Sequence, residues 1–314
     1  MSTSVLYDVP GPRAVLRNRL IGVATVVVVA GILAFIIYRF ADSGQFAAAK
    51  WQIFTYTAVW KGILDALWAT VSAFLAAAVG SLVLGFVLAI GRLSDHTWVR
   101  LPVTWITELF RAIPVLVMMM LFFYGINSIP GIPFKMEPYM AVVLGLVLYN
   151  GSVLAEALRA GVEALPRGQK EAGYAIGLRK SGVMALILLP QAVRNMLPVI
   201  IAQLVVTLKD TALGFIITYP ELLYYAKYLS SQPGRPLLQA GLVVAAIYIS
   251  MCLILSGIAK FVETRMARRQ RALVSDAEGT GGNPALQHEG TTTEVIGLQS
   301  RSGKYDQGNT PPQI

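Results

Sequence analysis

The sequence predicts an all-α integral membrane protein with six transmembrane helices and a short helix in the cytoplasmic loop between the fourth and fifth. Three observations carry this reading. Mean hydropathy is +0.61 and only 14% of residues are charged, a composition outside the soluble globular range. Six apolar stretches recur along the chain, five of them at lengths suited to a bilayer core of roughly 30 Å. Lysine and arginine gather on alternate connecting segments, as the positive-inside rule requires.

The first stretch, Leu20–Tyr38, follows Arg13, Arg17 and Arg19. Basic residues before an apolar run suggest a secretory signal, but the run is about as long as a full span and no small-residue cleavage site follows convincingly, so it reads as a retained anchor. The second is Ile63–Ile90, with Asp65 at its outer interface. The third, Pro114–Ile126, is preceded by "ELFRAIP" (108–114), where proline disfavours helix at the preceding residue and predicts a kink. Residues 101–112 then form a short interfacial helix.

Tyr139–Leu158, Leu197–Ile217 and Leu237–Ala259 complete the set. The fifth contains "LKDTALG" (208–214), which puts Lys209 and Asp210 at membrane depth. After Arg271 the chain is rich in Gly, Thr, Asn and Pro, a composition that does not offset the entropy of ordering. The expected organisation is a cytoplasmic segment 1–19, an anchor and external loop 20–60, a transmembrane domain 61–265 and a disordered cytoplasmic tail 266–314.

Orientation follows from the basic residues. Segments 1–19, 91–111, 159–196 and the chain from 260 hold nineteen of the 26 Lys and Arg. The opposite side holds six: Arg39, Lys50, Lys61, Lys135, Lys227 and Arg235. Both termini and residues 159–196 are therefore expected in the cytoplasm. The net charge of +9 is explained by this asymmetry, and no nucleic-acid partner is needed. The single cysteine, Cys252, excludes an internal disulfide and sits in an apolar run as a small packing residue.

The loop 159–196 contains "KEAGYAIGLRKSGVMALILLP". Pro166 suits the first position of a helix, Ala172, Ala175 and Ile176 share one face, and Gly177 supplies a left-handed terminus. Ser181 is a plausible N-cap for the next helix. A solvated loop is the plain alternative. The small residues Ala172, Gly173, Ala175 and Gly177 favour insertion into a partner's groove instead.

Glu171-Ala172-Gly173, three residues, Gly177, nine residues, then Ile187-x-Leu189-Pro190 resembles the EAA loop of ATP-binding-cassette importer permeases, with Gly173 in place of the usual alanine. "ELFRAIP", "LPQAVRNMLP" and "LKDTALG" resemble the corresponding stretches of the polar amino-acid group of these permeases, and the likeness covers residues 60–265. It implies that 166–178 is a coupling helix, with Glu171, Ala172, Gly173 and Gly177 seated on a cytoplasmic ATPase dimer. It further implies a second permease subunit, identical or different, an extracytoplasmic amino-acid-binding protein, and residence in a bacterial cell membrane. The chain has no G-x4-G-K-[S/T] phosphate loop. It is therefore expected to be no enzyme and to bind no cofactor, ATP being used by the partner.

Ionisable residues in a span are costly and usually face the bundle interior. Glu108 and Arg111, three apart on one helical face, and the adjacent Lys209 and Asp210 are candidate substrate-path residues, since a zwitterionic amino acid carries one charge of each sign. The structural alternative is that Glu108–Arg111 caps the kink while Lys209 or Asp210 pairs with a neighbouring span. Glu156 and Arg159, also three apart, read as a snorkelling surface pair.

An ion-coupled secondary transporter would use similar charges but usually carries internal repeats, and none is convincing here. A membrane anchor that only recruits a partner would have no use for charges at this depth. The first span and the leader "VLYDVPGPRA" resemble actinobacterial glutamate-importer permeases, and Lys209 could receive an acidic side chain. Glutamate is therefore the expected substrate, with glutamine and arginine as alternatives.

Overall fold

The computed structural model describes residues 11–281 apart from 132 and 235, with side chains to Arg265. Among them every regular element is helical. The architecture starts from residue size. In α2 (Thr57–Arg92), Ala73, Ala77, Ser81, Gly85 and Ala89 recur every fourth residue and all are buried. On the opposite side Leu64, Trp68, Leu75, Val79, Val83 and Val87 are exposed. Small residues inside and large ones outside is the pattern of a helix packed in lipid, where close backbone approach replaces hydrophobic driving force.

That ladder meets α5 (Pro138–Glu163). A Cβ at Gly85 would lie 2.9 Å from Leu154 Cβ and 3.1 Å from the Gly151 carbonyl oxygen, and one at Gly151 would lie 2.9 Å from Leu84 Cδ2. The two helices cross at glycines because no side chain fits between them. α5 in turn packs on the next span: a Cβ at Gly145 would meet Met119 Cγ at 2.8 Å.

The expected kink is a sharp bend. α3 (Thr97–Ala112) and the segment begun by α4 (Val115–Met120) and continued by a π-helical turn, Leu121–Gly125, meet at 99°. Ile113 and Pro114 are extended, with ψ of 125° and 134°, as expected for proline and the residue before it. Counting this bent pair as one span gives six; otherwise five helices are long and apolar enough to cross a membrane.

Two expected boundaries move. The first helix, α1, runs Pro12–Asp42, longer than the apolar run alone, and buries no residue. The fifth span begins well before Leu197: α7 (Lys180–Gly182), a π-helical turn (Val183–Leu188), α8 (Leu189–Asp210) and a 3-10 turn (Thr211–Ile217) form one candidate span, Lys180–Ile217. The wide π turn sits just ahead of Pro190, which supplies no N–H to an α-helical ladder.

Four buried clusters set the elements in place. Ala73, Ala77, Met119, Leu146, Ile217 and Tyr219 form the central one, joining α2, α4, α5 and the 3-10 turn. Val59, Ile63, Leu222, Leu229, Ala240 and Val244 join α2 to α9 (Leu222–Ser230) and to α10 (Leu237–Gly281). Leu88, Leu154, Leu158 and Ile200 lie toward the other end, and Val162, Val183, Leu188 and Ala192 anchor the loop beyond α5.

Residues to Ala259 form one compact unit; a second begins at Lys260 and is helical to Gly281. The expected tail starts at 266, so its first residues are helical and the remainder, 282–314, lies outside the described residues, as do 1–10.

Candidate functional site

α6 (Arg167–Ala175) forms where the loop sequence places it, one residue later than expected: Pro166 is the N-cap, with φ −57° and ψ 135°, and not the first helical residue. Its end is a complete Schellman motif. Gly177 has φ +83°, its N–H donates to the Tyr174 carbonyl at 2.9 Å, and Leu178 N–H donates to the Gly173 carbonyl at 3.1 Å. Glycine occupies the left-handed position because it has no Cβ penalty there.

The buried contact of α6 is Gly173, not the Ala172, Ala175 and Ile176 face that the apolar spacing suggests. A Cβ at Gly173 would lie 2.8 Å from Val183 Cγ2 and 2.9 Å from Ile187 Cδ1. The one departure from the E-A-A pattern thus falls where the helix presses on the π turn. Gln191 adds a hydrogen bond from its Nε2 to Gln169 Oε1 at 3.1 Å. Glu171, Ala172, Ala175 and Ile176 are exposed, Ile176 at 75%. Ser181 is not an N-cap: Arg179 holds that position and Ser181 lies inside α7. Lys180 instead ties the loop back across the fold, donating to the Leu93 carbonyl at 3.3 Å and pairing with Asp95. The hydrogen bond that the Lys180 ammonium donates to Asp95 holds that carboxyl below its usual range.

Glu108 and Arg111 pair at 3.1 Å, as their spacing suggests, but within a larger network. Arg92, at the end of α2 and with only 9% of its side chain exposed, reaches Glu108 at 3.1 Å and Glu156 at 2.8 Å. Glu156 also meets Arg159 at 2.6 Å and Arg111 at 3.8 Å, and Arg159 meets Glu163 at 2.5 Å. Glu156 and Arg159 are therefore not an isolated surface pair; they tie α5 to α2 and α3. The contact between Arg92 Nη1 and Glu156 is ionic without hydrogen-bond alignment, and Arg92 Nε is buried with no hydrogen-bond partner.

Lys209 is exposed and Asp210 half-buried at the end of α8. Neither forms an ion pair among the described residues, so the alternative in which one of them pairs with a neighbouring span is not met. Glu108 and Arg111 are already engaged with each other, Arg92 and Glu156, and no ion pair joins them to Lys209 or Asp210.

Two polar groups escaped sequence reasoning. Asn150, fully buried in α5, accepts from Gln203 Nε2 of α8 at 2.6 Å. Glu221 is fully buried and caps α9, accepting from the N–H groups of Leu223 and Tyr224 at 2.8 and 2.7 Å and from the Tyr248 hydroxyl at 2.8 Å. A Glu directly before an apolar helix was the only available signal for the cap. Among the described residues no group of three His, Cys, Asp or Glu is placed to hold a metal ion.

Residues 81–268 match the model of the binding-protein-dependent transport system inner membrane component family. The chain belongs to this family. It is 40% identical over 233 residues to the glutamate transport system permease protein GluD of Corynebacterium glutamicum, an alignment covering 74% of this chain and 85% of that one. It is 32% identical over 211 residues to the arginine transport system permease protein ArtQ of Bacillus subtilis, covering 65% and 92%. The solved structure of an amino acid ABC transporter with histidines superposes with a TM-score of 0.61 at 26% identity, covering 68% of this chain and 97% of that one. This permease is thus a multi-pass membrane protein and a transport component. Its matched region begins inside α2 and runs through the bent pair, α5, α6 and α8 into α10, so it includes α6 and the charge network.

Proposed function

We propose that this permease carries a polar amino acid, glutamate, into the cell as part of an ATP-driven importer, and that α6 is the helix through which a cytoplasmic ATPase dimer moves it. One observation carries the reading: α6 presses on the same helical segment, Lys180–Ile217, that holds Lys209 and Asp210. The stretch from Lys180 to Asp210 spans roughly 45 Å at ~1.5 Å per residue, enough to link a cytoplasmic contact to the far side of the bilayer core. The bare face of Glu171, Ala172, Ala175 and Ile176 is free to enter the ATPase groove. Packing of Gly173 on Val183 and Ile187 passes its displacement to α7 and α8.

Glutamate is supported by the likeness to GluD and by the free cation Lys209. Asp210, also without an ion pair, and the likeness to ArtQ favour arginine as the second reading. In proteoliposomes holding the permease, its ATPase and its binding protein, glutamate is expected to stimulate ATP hydrolysis and arginine is not. Lys209→Ala is expected to lower glutamate uptake at least about tenfold, the loss of one charge-assisted contact, with the ATPase still co-purifying. Stimulation by arginine alone would replace the glutamate reading.

The orientation follows the basic residues: both termini and α6 on the cytoplasmic side. With Cys252→Ala as background, an impermeant thiol reagent on intact cells is expected to label Ser231→Cys and spare Gln169→Cys. The opposite labelling would invert the topology.

A further inference from the structure

Beside α6 lies a cavity of about 360 Å³ bounded by the Leu93–Asp95 turn, Arg100 of α3, the end of α5 and the start of the 180–188 segment. Its lining is strongly basic, and its charges divide into two groups. Arg92 is held by Glu108 and Glu156, Lys180 pairs with Asp95, and the lining Glu163 is neutralised by Arg159. Arg100, Arg167 and Lys170 have no ion pair among the described residues. Lys170 sits over the Tyr174 ring, 5.9 Å from its centroid, and feels the Asp95 carboxylate at longer range. Three cations outside any ion pair around one concave space form a site for an anion with several acceptor oxygens.

The helix that borders the site narrows the ligand. α3 turns 99° from the apolar segment that follows it, so the two do not share one axis. Its exposed face carries Trp98 at 92% and Trp105 at 74%, with Leu101 and Leu109 between and beyond. Tryptophans on an apolar stripe of such a helix mark the boundary between acyl chains and headgroups, and Arg100 lies on the other side of the same helix, at the cavity. We infer that the cavity holds the phosphate headgroup of an anionic phospholipid of the cytoplasmic leaflet. The sidedness rests on the topology proposed above.

The site lies on a different flank of α6 from the docking face. Arg167, Lys170 and Tyr174 line the cavity, whereas Ala172 and Ile176 point to the far side of the helix at 100° per residue, with Glu171 and Ala175 between. One short helix therefore touches the ATPase on one flank and a membrane lipid on another, so the lipid steadies the base from which the lever moves.

The test uses the complete transporter, permease with ATPase, in nanodiscs of phosphatidylcholine with and without phosphatidylglycerol. Native mass spectrometry counts retained phosphatidylglycerol. The wild type is expected to retain it, and Arg100→Gln/Arg167→Gln/Lys170→Gln to bind it about a hundredfold more weakly, three cations each contributing a few-fold. Arg100→Lys/Arg167→Lys/Lys170→Arg is expected to restore it. Undiminished retention in the glutamine variant overturns the site. Displacement of the lipid by inorganic phosphate at equal affinity assigns it to a soluble anion instead. Loss of the ATPase from the glutamine variant in every lipid assigns the cations to the partner protein. Gly177→Leu separates the two readings: it is expected to weaken ATPase binding while phosphatidylglycerol stays.

Discussion

Gly177→Leu is expected to reach the membrane in normal amounts and yet lose substrate-stimulated ATP hydrolysis and uptake together. The backbone at Gly177 has φ +83°, and a side chain there is strained by about 1–2 kcal/mol. That is too little to unfold the bundle, but it falls on the residue whose N–H closes the end of α6 on Tyr174. None of the described residues lies within 4 Å of a Cβ at Gly177, so the added side chain points into open space, where the ATPase groove would be. Glu171→Lys acts on the same surface by reversing an exposed charge. The measurement is co-purification of the ATPase beside transport in vesicles for each variant. Wild-type uptake with full ATPase retention in Gly177→Leu would return α6 to the status of a solvated loop.

Glu156→Ala is expected to be the most destabilising single charge change. Its carboxylate meets Arg92 at 2.8 Å, Arg159 at 2.6 Å and Arg111 at 3.8 Å, and only a quarter of its side chain is exposed. Removing it leaves Arg92, which is nearly buried, with Glu108 alone. Breaking a buried pair costs about 3–5 kcal/mol; because Arg92 and Arg111 keep Glu108, and Arg159 keeps Glu163, the lower end applies. Glu156→Gln recovers part of the loss by still accepting hydrogen bonds. The double variant Arg92→Met/Glu156→Met is expected to lie well above the sum of the single effects, since neither charge is left alone. Thermal unfolding of the purified transporter compares these proteins with the wild type and with the single variants Arg92→Met and Glu156→Met. A Glu156→Ala midpoint indistinguishable from wild type would show that the network does not bind α2, α3 and α5 together.

How far the sequence reached can be judged residue by residue. Gly177 was legible because a left-handed helix terminus is a local demand, satisfied by one residue type within one turn. The bend at Pro114 was legible for the same reason, although its angle was not: proline forbids the helix but does not choose the new direction. The Glu108–Arg111 pair followed from helical spacing. Arg92, which turns that pair into a network, counted in the sequence only as one of the basic residues of segment 91–111.

By itself the sequence determined that this is a membrane-spanning helical protein, roughly where its apolar spans lie and which loop carries a short helix closed by glycine. Each depends on composition or on residues a few positions apart. Only the tertiary structure decided which faces meet. It put Lys180 on Asp95, Asn150 on Gln203 and Gly173 on Val183 and Ile187, and left Arg100, Arg167 and Lys170 around one cavity. The physical reason is that a helix in lipid is apolar all round. Its packing face is marked by side-chain size rather than polarity, as in the ladder from Ala73 to Ala89, and small residues tell a helix where it can be approached without naming the helix that approaches.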